Sequence, residues 1–390
     1  MIADRFIQQT PFFTDEQREL AESVASFAAR EIEPRASEEA ETDAQFRGFV
    51  SALAQAGLLR YAVADAGKPL GVRSLCLIRE ALSYSSSLAD LAFVMQGLGT
   101  FAISLAAPDH VRDFWLARAA QGKAVAAFAL TEPDAGSDVA AIKTSARLER
   151  TDEGGEFYII EGRKRFISNA GVADFYTVFA RTGTKPDGRA ELSAFVVGAR
   201  MPGFSVRQRT EMIAPHPIGE IEFNNCRVPA EDRVGNEGDG FRLAMQTLDT
   251  FRASVGAAAC GMARRALDEA IAYSKTRQQF GRALSQHQMI QEKLADMATE
   301  LDAARLLVYR AAYLKDSGSQ SVTRAASEAK LFATESACRI IDQALQIHGG
   351  TGLLRGHIIE RLYRDVRALR IYEGTSEIQK LIIANQLLKE

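Results

Sequence analysis

A glutamate near the C-terminus, Glu373, is the residue whose surroundings best suit a general base. It lies in the stretch RIYEGTSEIQ (370–379), where Ile371 and Tyr372 precede it and Gly374 follows it. Apolar and aromatic neighbours that exclude water raise the pKa of a carboxyl group toward the range useful for proton abstraction. The position also fits a solvated turn carboxylate, and the stretch alone leaves both interpretations open.

Two stretches in the middle of the chain combine hydroxyl groups with a turn or an aromatic ring. In ALTEPDAGSD (129–138), Thr131 and Ser137 flank a turn whose backbone N–H groups could form an anion-holding concavity. In RFISNAG (165–171), Phe166 and Ser168 are two residues apart on a predicted strand, so they share a face and could contact a flat heterocycle. Taken singly, a connecting loop and a core aromatic beside a turn-capping serine explain these patterns as well.

Two stretches in the C-terminal half could hold phosphate groups. RQQFG (277–281) places Arg277 at the end of a long predicted helix, and QIHGGTG (346–352) contains glycines that permit close backbone approach. A cation at a helix C-terminus and a glycine-terminated helix are the structural alternatives. The sequence has no HExxH motif, no Ser-His-Asp order and no CxxC pair, so hydrolytic and metal sites are not indicated, and His348 is interpreted as structural.

These stretches lie on helices, then strands, then helices again. Residues 1–123 carry helical spacing that begins at a capping box, Thr14 to Gln17. Residues 124–236 carry short β-rich runs separated by turn residues, and residues 237–390 return to long amphipathic helices, the last of which is predicted to begin with a capping box from Ser376 to Gln379. The sequence therefore predicts an α+β, mainly α protein with these three domains.

The composition excludes several classes of function. The 390-residue chain has a formal net charge of −3, which argues against nucleic-acid and anionic-membrane partners. The longest unbroken apolar run, Ala124 to Leu130, has seven residues, whereas a membrane helix needs about 18. The four cysteines are far apart and the N-terminus lacks a signal-type apolar segment, so we expect a reducing cytoplasm.

Together and in this order, the five stretches resemble the acyl-CoA dehydrogenase family, from about residue 12 to residue 388. The resemblance implies an N-terminal helical bundle, a middle β-barrel-like domain and a C-terminal four-helix-type bundle. It implies an FAD-dependent oxidoreductase that dehydrogenates an acyl-CoA thioester and passes the electrons to an electron-transferring flavoprotein in a bacterial cytoplasm. It also implies a homotetramer, or at least a dimer, that shares FAD across the subunit interface.

The same resemblance assigns roles to individual residues. Glu373 corresponds to the family's base, which removes the α-proton while a β-hydride passes to flavin N5. Phe166 and Ser168 stand where the family commonly has Trp and Thr, with the hydroxyl near N5. Substrate contacts are implied for Ser137, Asp249, Arg252 and Gly374. FAD contacts are implied for Phe128, Leu130, Thr131, Gly136, Ser137, Phe166, Ile167, Ser168, Arg277, Gln279, Phe280, His287, Gln288, Gln346, Gly349, Gly350, Tyr372, Thr375 and Glu377.

Departures from the family pattern bear on the base and on the substrate. Some relatives carry the base just before the substrate-side arginine, where this chain has Phe251, and this favours Glu373. Ala89 stands where glutaryl-CoA dehydrogenases have an arginine for the distal carboxylate, so we expect a medium-chain, branched or alicyclic acyl group without one. The segment Met212 to Ile218 replaces a common loop that contains Gly and Arg.

Two alternatives remain beside the dehydrogenase. An enoyl-CoA reductase would run the same chemistry in the reverse direction, and residues do not determine direction. A flavoprotein of the same fold without dehydrogenase activity, such as a duplex-DNA-binding member, would need a basic extension, which the chain does not show.

Overall fold

The computed structural model describes residues 4–37, 40–152, 154–186, 188–319 and 322–389. The chain forms two compact units. The helical unit comprises the described residues of Met1–Glu39, Gly71–Asp90 and Asp249–Glu390, and the mixed unit comprises those of Ala40–Leu70 and Leu91–Leu248. These units group residues by proximity rather than by chain order, and the three sequence domains (1–123, 124–236 and 237–390), whose ends reach beyond the described residues, stay a prediction.

Helices make up most of the described chain, as the sequence predicts. The helices are α1 (Arg5–Gln9), α2 (Asp15–Phe27), α3 (Thr42–Gln55), α4 (Val72–Ser85), α5 (Ser87–Ala106), α6 (Asp109–Ala120), α7 (Gly240–Thr276), α8 (Gln288–Asp316), α9 (Thr323–His348), α10 (Ile358–Arg367) and α11 (Ser376–Leu387). Helix α5 is long and apolar enough to span a membrane, but 89% of its most apolar window is buried inside the protein, as in a core helix.

Small residues on α7 let the long helices of the helical unit pack closely. A Cβ added at Gly261 would lie 2.2 Å from the carbonyl oxygen of Glu80 on α4, so any side chain there would force the two helices apart. Val255, Val308 and Ile341, from α7, α8 and α9, are fully buried in the apolar core between these helices. This packing fixes the helices that carry the C-terminal motifs.

The mixed unit is built on one eight-stranded, largely antiparallel sheet. Its strand order is β6-β7-β3-β2-β4-β5-β8, with β1 paired in parallel to β4. The strands are β1 (Ala126–Ala129), β2 (Ser145–Arg150), β3 (Glu156–Ser168), β4 (Phe175–Thr184), β5 (Ala190–Gly198), β6 (Phe204–Arg209), β7 (Ile218–Pro229) and β8 (Arg233–Val234). A separate hairpin in the helical unit joins β9 (Gln278–Gln279) to β10 (Arg282–Ala283). The predicted α+β, mainly α fold is confirmed.

The capping boxes predicted at Thr14 and at Ser376 have different outcomes. Thr14 caps α2 as predicted, because its side chain accepts from the N–H of Gln17 and the Gln17 side chain accepts from the N–H of Thr14. The box predicted from Ser376 is wrong by one residue. The N-cap of α11 is Thr375, whose hydroxyl oxygen accepts from the N–H of Ile378.

Candidate active site

Glu373 lies in a strained turn between α10 and α11. Its φ is 53° and that of Gly374 is 91°, so the left-handed conformation of Glu373 costs energy that a glycine would not pay. Its side chain is half-buried, and its Oε2 is buried with no hydrogen-bond partner among the described residues. Within the same residues the backbone N–H of Glu373 also donates to no acceptor. The turn therefore offers an unpaired carboxylate oxygen and an unpaired N–H donor.

The charge on Glu373 depends on a balance between burial and neighbouring cations. Burial raises the pKa of the carboxyl group, while the positive charges of Arg79, Lys330 and Arg252 oppose that rise. The negative charge of Asp90 adds to the rise, and the net pKa lies above the usual value. A carboxylate of raised pKa with an unpaired oxygen suits the general base that the sequence predicts.

Arg79 is a cation beside Glu373 that the sequence reasoning missed. Its guanidinium is almost fully buried and donates to both oxygens of Asp90, at 2.8 and 2.7 Å, and to the hydroxyl of Ser254 at 2.9 Å. These contacts, and chiefly the charge of Asp90, keep the pKa of Arg79 above its usual value although burial lowers it. The pair with Asp90 therefore keeps the Arg79 guanidinium positively charged near Glu373 and Tyr372.

Asp249 and Arg252, the predicted substrate residues on α7, form an ion pair with each other. Thr323 of α9 donates to the second oxygen of Asp249 at 3.1 Å, which holds the carboxylate in place. The Nε of Arg252 is buried without a hydrogen-bond partner among the described residues. The structure brings Arg252 close enough to Glu373 to affect its pKa, and Phe251 is fully buried.

The predicted cofactor residues next to Glu373 in this turn differ in burial. Tyr372 is half-buried, and burial raises the pKa of its hydroxyl. Thr375 caps α11, and Glu377 is exposed in the first turn, where its own backbone N–H and the Thr375 hydroxyl lower the pKa of its carboxyl group.

In the mixed unit, the turn after β1 is held by a buried ion pair. Glu132 accepts from Lys164 at 2.8 Å and from the backbone N–H groups of Lys143 and Thr144 at 2.7 and 3.0 Å. Lys164 also donates to the carbonyl of Leu130 at 3.1 Å. Burial lowers the pKa of Lys164 to about 8, although the negative charge of Glu132 favours a higher pKa. Sequence reasoning missed this pair, which fixes the turn that carries the predicted cofactor residues.

The predicted cofactor residues of this turn differ in exposure. Phe128 is half-buried and packs on Phe179 with ring centroids 5.0 Å apart, and Leu130 is buried beneath the turn. Thr131 is half-buried, whereas Gly136 and Ser137 are exposed, and a Cβ at Gly136 would meet nothing within 4 Å. The turn therefore presents open backbone and hydroxyl groups to a ligand.

The end of β3 presents an aromatic ring and a hydroxyl group. A register shift against β7 falls between Lys164 and Ile167, and within it Phe166 has φ of 54° and is 50% exposed. Ile167 is buried, while Ser168 is half-buried. A large aromatic side chain held exposed on a strained bulge is costly for a chain without a ligand, which favours a flat ligand there.

His216 is the partner of Ser168, and sequence reasoning did not find it. The Ser168 hydroxyl and His216 Nε2 are 2.8 Å apart, and burial lowers the pKa of the imidazole to about 4, so it is neutral at physiological pH. His216 lies in the unusual segment Met212 to Ile218, which is tied to the end of β3 where Asn169 N–H donates to the carbonyl of Pro217 at 2.6 Å. The segment therefore supports the predicted flavin-side hydroxyl.

The β9–β10 hairpin gathers several of the predicted ADP-side residues. The backbone N–H of Leu284 donates to the carbonyl of Arg277, and His287 Nε2 lies 3.3 Å from the carbonyl oxygen of Gln279. Phe280 is 93% exposed with φ of 52°, and its ring meets His287 edge-on at 6.1 Å. Gln288, also exposed, begins α8.

The glycine turn after α9 lies near the end of α7. His348 stacks on Tyr273 with ring centroids 4.4 Å apart, and its Nδ1 lies 2.7 Å from the carbonyl oxygen of Ala344. This agrees with a structural role for His348, and the described residues contain no His/Cys/Asp/Glu group that could hold a metal. Gln346, Gly349 and Gly350 are exposed, and a Cβ at either glycine would meet nothing within 4 Å.

These donor sets fit FAD, each within its own unit. The mixed unit offers the exposed Phe166 ring for a flavin, with hydroxyl groups beside it. The helical unit offers Arg277 and the open glycine turn, whose cation and accessible backbone suit phosphate groups. Arg79, Lys330 and His216 carried no local sequence signal, because a lone Arg, Lys or His on a helix or loop is read as surface or core until its neighbours are known.

Three sequence-family models match the chain. They are described as the acyl-CoA dehydrogenase N-terminal domain (residues 14–123), middle domain (residues 127–226) and C-terminal domain (residues 238–388).

Curated relatives and a solved structure resemble the chain over most of its length. A 3-(aryl)acrylate reductase of Clostridium sporogenes is 40% identical over 97% of this chain and 100% of its own. A cyclohexane-1-carbonyl-CoA dehydrogenase of Geobacter metallireducens is 38% identical over 81% of this chain and 82% of its own. An acyl-CoA dehydrogenase of Bacillus anthracis, solved in complex with FAD, has a TM-score of 0.87 and 32% identity, covering 98% of this chain and 68% of the other.

Proposed function

Because this chain belongs to the acyl-CoA dehydrogenase family, an FAD-dependent group of oxidoreductases, we propose that it dehydrogenates an acyl-CoA thioester between the α- and β-carbons with Glu373 as the base. The observation that carries the proposal is the unpaired Oε2 of Glu373. Burial raises the pKa of this carboxyl group, and the nearby cations limit that rise. Such a group takes up a proton more readily than an exposed glutamate and is still ionised enough to act.

The residues around Glu373 have distinct parts in this reaction. Oε2 of Glu373 removes the α-proton, and the free backbone N–H of Glu373 donates to the thioester oxygen as negative charge develops there. One such preorganised donor is worth about 3–4 kcal/mol in the transition state. Arg79 and Arg252 supply fixed positive charge that favours the same developing anion. Bound FAD supplies the acceptor for the hydride that leaves the β-carbon.

The cofactor-binding assignments remain part of the proposal. In the mixed unit, Phe128, Leu130, Thr131, Gly136, Ser137, Phe166, Ile167 and Ser168 hold the flavin and its ribityl arm. In the helical unit, Arg277, Gln279, Phe280, His287, Gln288, Gln346, Gly349 and Gly350 hold the ADP half, and Tyr372, Thr375 and Glu377 add contacts from the base turn. Ser137, Asp249, Arg252 and Gly374 line the substrate.

We propose an acyl group that is medium-chain, branched or alicyclic and lacks a distal carboxylate. Ala89 is buried and offers no charge, and the guanidinium of Arg79 is already paired with both oxygens of Asp90. The distal carboxylate of a dicarboxylic acyl group would therefore be buried there without a free cation from Ala89 or Arg79, and burying an unpaired charge is costly. The two curated relatives, named for an aryl acrylate and for a cyclohexane carboxylate, support a cyclic substituent.

The reverse reaction is the second candidate. The 3-(aryl)acrylate reductase named above supports this candidate, because it is 40% identical to this chain over 97% of the chain's length. The same base would then act as the acid that protonates the α-carbon, since a group of raised pKa serves either direction.

We also propose a bacterial, cytoplasmic homotetramer that shares FAD across its interface and passes electrons to an electron-transferring flavoprotein. The bacterial sources of the relatives support the first part. The 93% exposed ring of Phe280, a predicted cofactor residue, supports an interface that covers it.

The proposal is tested by an anaerobic screen of the FAD-loaded enzyme against straight, branched, alicyclic, aryl and dicarboxylic acyl-CoA esters. We expect loss of flavin absorbance with one of the first four classes and none with the dicarboxylic esters. Enoyl-CoA added to the dithionite-reduced enzyme tests the reverse direction. Absence of bleaching with every ester would contradict dehydrogenation.

The base is tested with Glu373→Gln, with Glu300→Gln as a control that removes a half-buried carboxylate paired with Arg339. We expect Glu373→Gln to keep FAD and lose about 100-fold or more in kcat, the range of general-base catalysis. The control should keep wild-type turnover. Wild-type turnover in Glu373→Gln would reject the assignment.

A further inference from the structure

The strained turn that carries Glu373 is held from two sides through its carbonyl groups. Nζ of Lys330 on α9 donates to the carbonyl of Gly374 at 2.5 Å. Nε2 of Gln379 on α11 donates to the carbonyls of Glu373 and Gly374 at 3.2 and 3.0 Å. Lys330 and Gln379 are both fully buried. Their hydrogen bonds favour the left-handed backbone conformation of this turn. Without them, the backbone would relax to a less strained region of φ/ψ space.

The position of Lys330 is unusual for a buried ammonium group. The other fully buried lysine described above, Lys164, donates directly to the carboxylate of Glu132. Lys330 instead donates to a backbone carbonyl. Burial lowers the pKa of its ammonium group to about 8, and the negative charge of Glu373 is the strongest influence opposing that decrease. A buried cation without a direct carboxylate contact is expensive, so its retention calls for a reason beyond packing.

Charged groups from several helices act on this pair. Arg79, Arg252 and Asp90 act on Glu373 together with Lys330. Arg252, Glu335 and Glu377 act on Lys330 together with Glu373. Among them, Lys330 alone both bonds to the base turn and carries a charge beside the base.

We propose that Lys330 is a positioning residue for the base, which holds the Gly374 carbonyl and places its ammonium charge next to the Glu373 carboxylate. This inference rests on the proposed function of Glu373. The hydrogen bond keeps Oε2 of Glu373 aimed in one direction. The charge keeps the carboxylate ionised at a pH where burial alone would protonate it.

Three substitutions separate the two effects. Lys330→Met removes the donor and the charge, Lys330→Gln keeps a donor without the charge, and Lys330→Arg keeps both. Lys293→Met is the matched control, because Lys293 is a partly buried lysine that donates to the side chain of Gln343 on α9. Each variant is isolated with bound FAD, checked by its absorbance spectrum, and assayed across pH 5–9 with the best substrate from the ester screen.

We expect Lys330→Met to lose about 10- to 100-fold in kcat, as a misplaced catalytic group does, with little change in KM. Lys330→Gln should recover part of kcat, but the acidic limb of its kcat/KM profile should move to higher pH. Lys330→Arg should restore the limb toward wild type, and Lys293→Met should match wild type throughout. If Lys330→Met fails to fold, Lys330→Gln and Lys330→Arg decide the question through the position of that limb.

The inference is overturned if Lys330→Gln and Lys330→Arg share the wild-type acidic limb, or if Lys330→Met keeps wild-type kcat. Its failure differs from failure of the proposed function. If Glu373→Gln is inactive while all Lys330 variants behave as wild type, only the role of Lys330 is wrong. If Glu373→Gln is active, the base itself is misassigned.

Discussion

The buried guanidinium of Arg79 lies near enough to the carboxylate of Glu373 that its charge is the strongest of the cations opposing the rise of the Glu373 pKa. Asp90 holds that guanidinium through both of its oxygens. The ion pair between Arg79 on α4 and Asp90 near the start of α5 therefore holds a positive charge near Glu373. The pair makes separate predictions for stability and for activity.

For stability, Arg79→Met should destabilise the protein by about 3–5 kcal/mol, because it leaves the carboxylate of Asp90 buried and unpaired. The double variant Arg79→Met/Asp90→Leu should recover most of that loss, since two apolar side chains can replace a buried ion pair. Urea unfolding of the FAD-loaded proteins measures both. Equal destabilisation of the single and double variants would mean that packing, not the stranded charge, dominates.

For activity, the double variant should shift the acidic limb of kcat/KM to higher pH. Removing Arg79 takes away the larger, pKa-lowering influence, and removing Asp90 takes away the smaller, pKa-raising one. The base is then protonated over a wider range, so we expect roughly tenfold lower kcat/KM near pH 6 and a smaller difference near pH 9. A limb that coincides with the wild type would show that Arg79 does not act on the base.

The fold and the turn that carries Glu373 were predictable, whereas the charged groups around that turn were not. Helical and strand periodicity is local, so the α–β–α succession and the turn with Glu373 were visible in the sequence. Arg79, Lys330 and His216 are far from Glu373 or Ser168 along the chain, and their meaning arises only when the fold buries them together. The N-cap of α11 was missed by one residue because Thr375 and Ser376 are both good caps.

Glu373 should also lower the stability of the fold that holds it. Its pKa is raised in the folded state, so its contribution to stability is present below the pKa of the unfolded state and is lost as pH rises through the folded value. At pH 7 the ionised group therefore opposes folding. We expect Glu373→Gln to be more stable than wild type by about 1 kcal/mol at pH 7, with the gain vanishing near pH 4.

Urea midpoints at both pH values test this relation between base and stability. Glu300→Gln serves again as the control, because its carboxylate lies at the surface in a pair with Arg339 and should change stability little at either pH. A Glu373→Gln protein that is no more stable than wild type at pH 7 would argue that the carboxylate is well solvated in the folded chain.

In the mixed unit, Lys164→Met should disturb the turn that carries the predicted cofactor residues. It removes the partner of the buried Glu132 carboxylate and the donor to the Leu130 carbonyl, so we expect a loss of about 3–5 kcal/mol and weaker retention of FAD. Lys143→Met is the matched control, since its exposed pair with Asp134 should contribute less than about 1 kcal/mol. Thermal unfolding and FAD absorbance after gel filtration measure both effects, and equal behaviour of the two variants would contradict the importance of the buried pair.

Phe280→Ala should leave the fold of the chain intact but weaken subunit assembly and FAD retention. The ring is 93% exposed, so its removal should change the stability of the isolated chain by no more than about 0.5 kcal/mol. If another subunit covers the ring and shares FAD there, the variant should dissociate at higher protein concentration than wild type and lose FAD on dilution. Light scattering and flavin absorbance over a concentration series check this, with Phe114→Ala, which removes a half-exposed ring on α6, as the control. A variant that keeps both the wild-type mass and the full FAD content on dilution would place Phe280 outside any subunit interface that holds the cofactor.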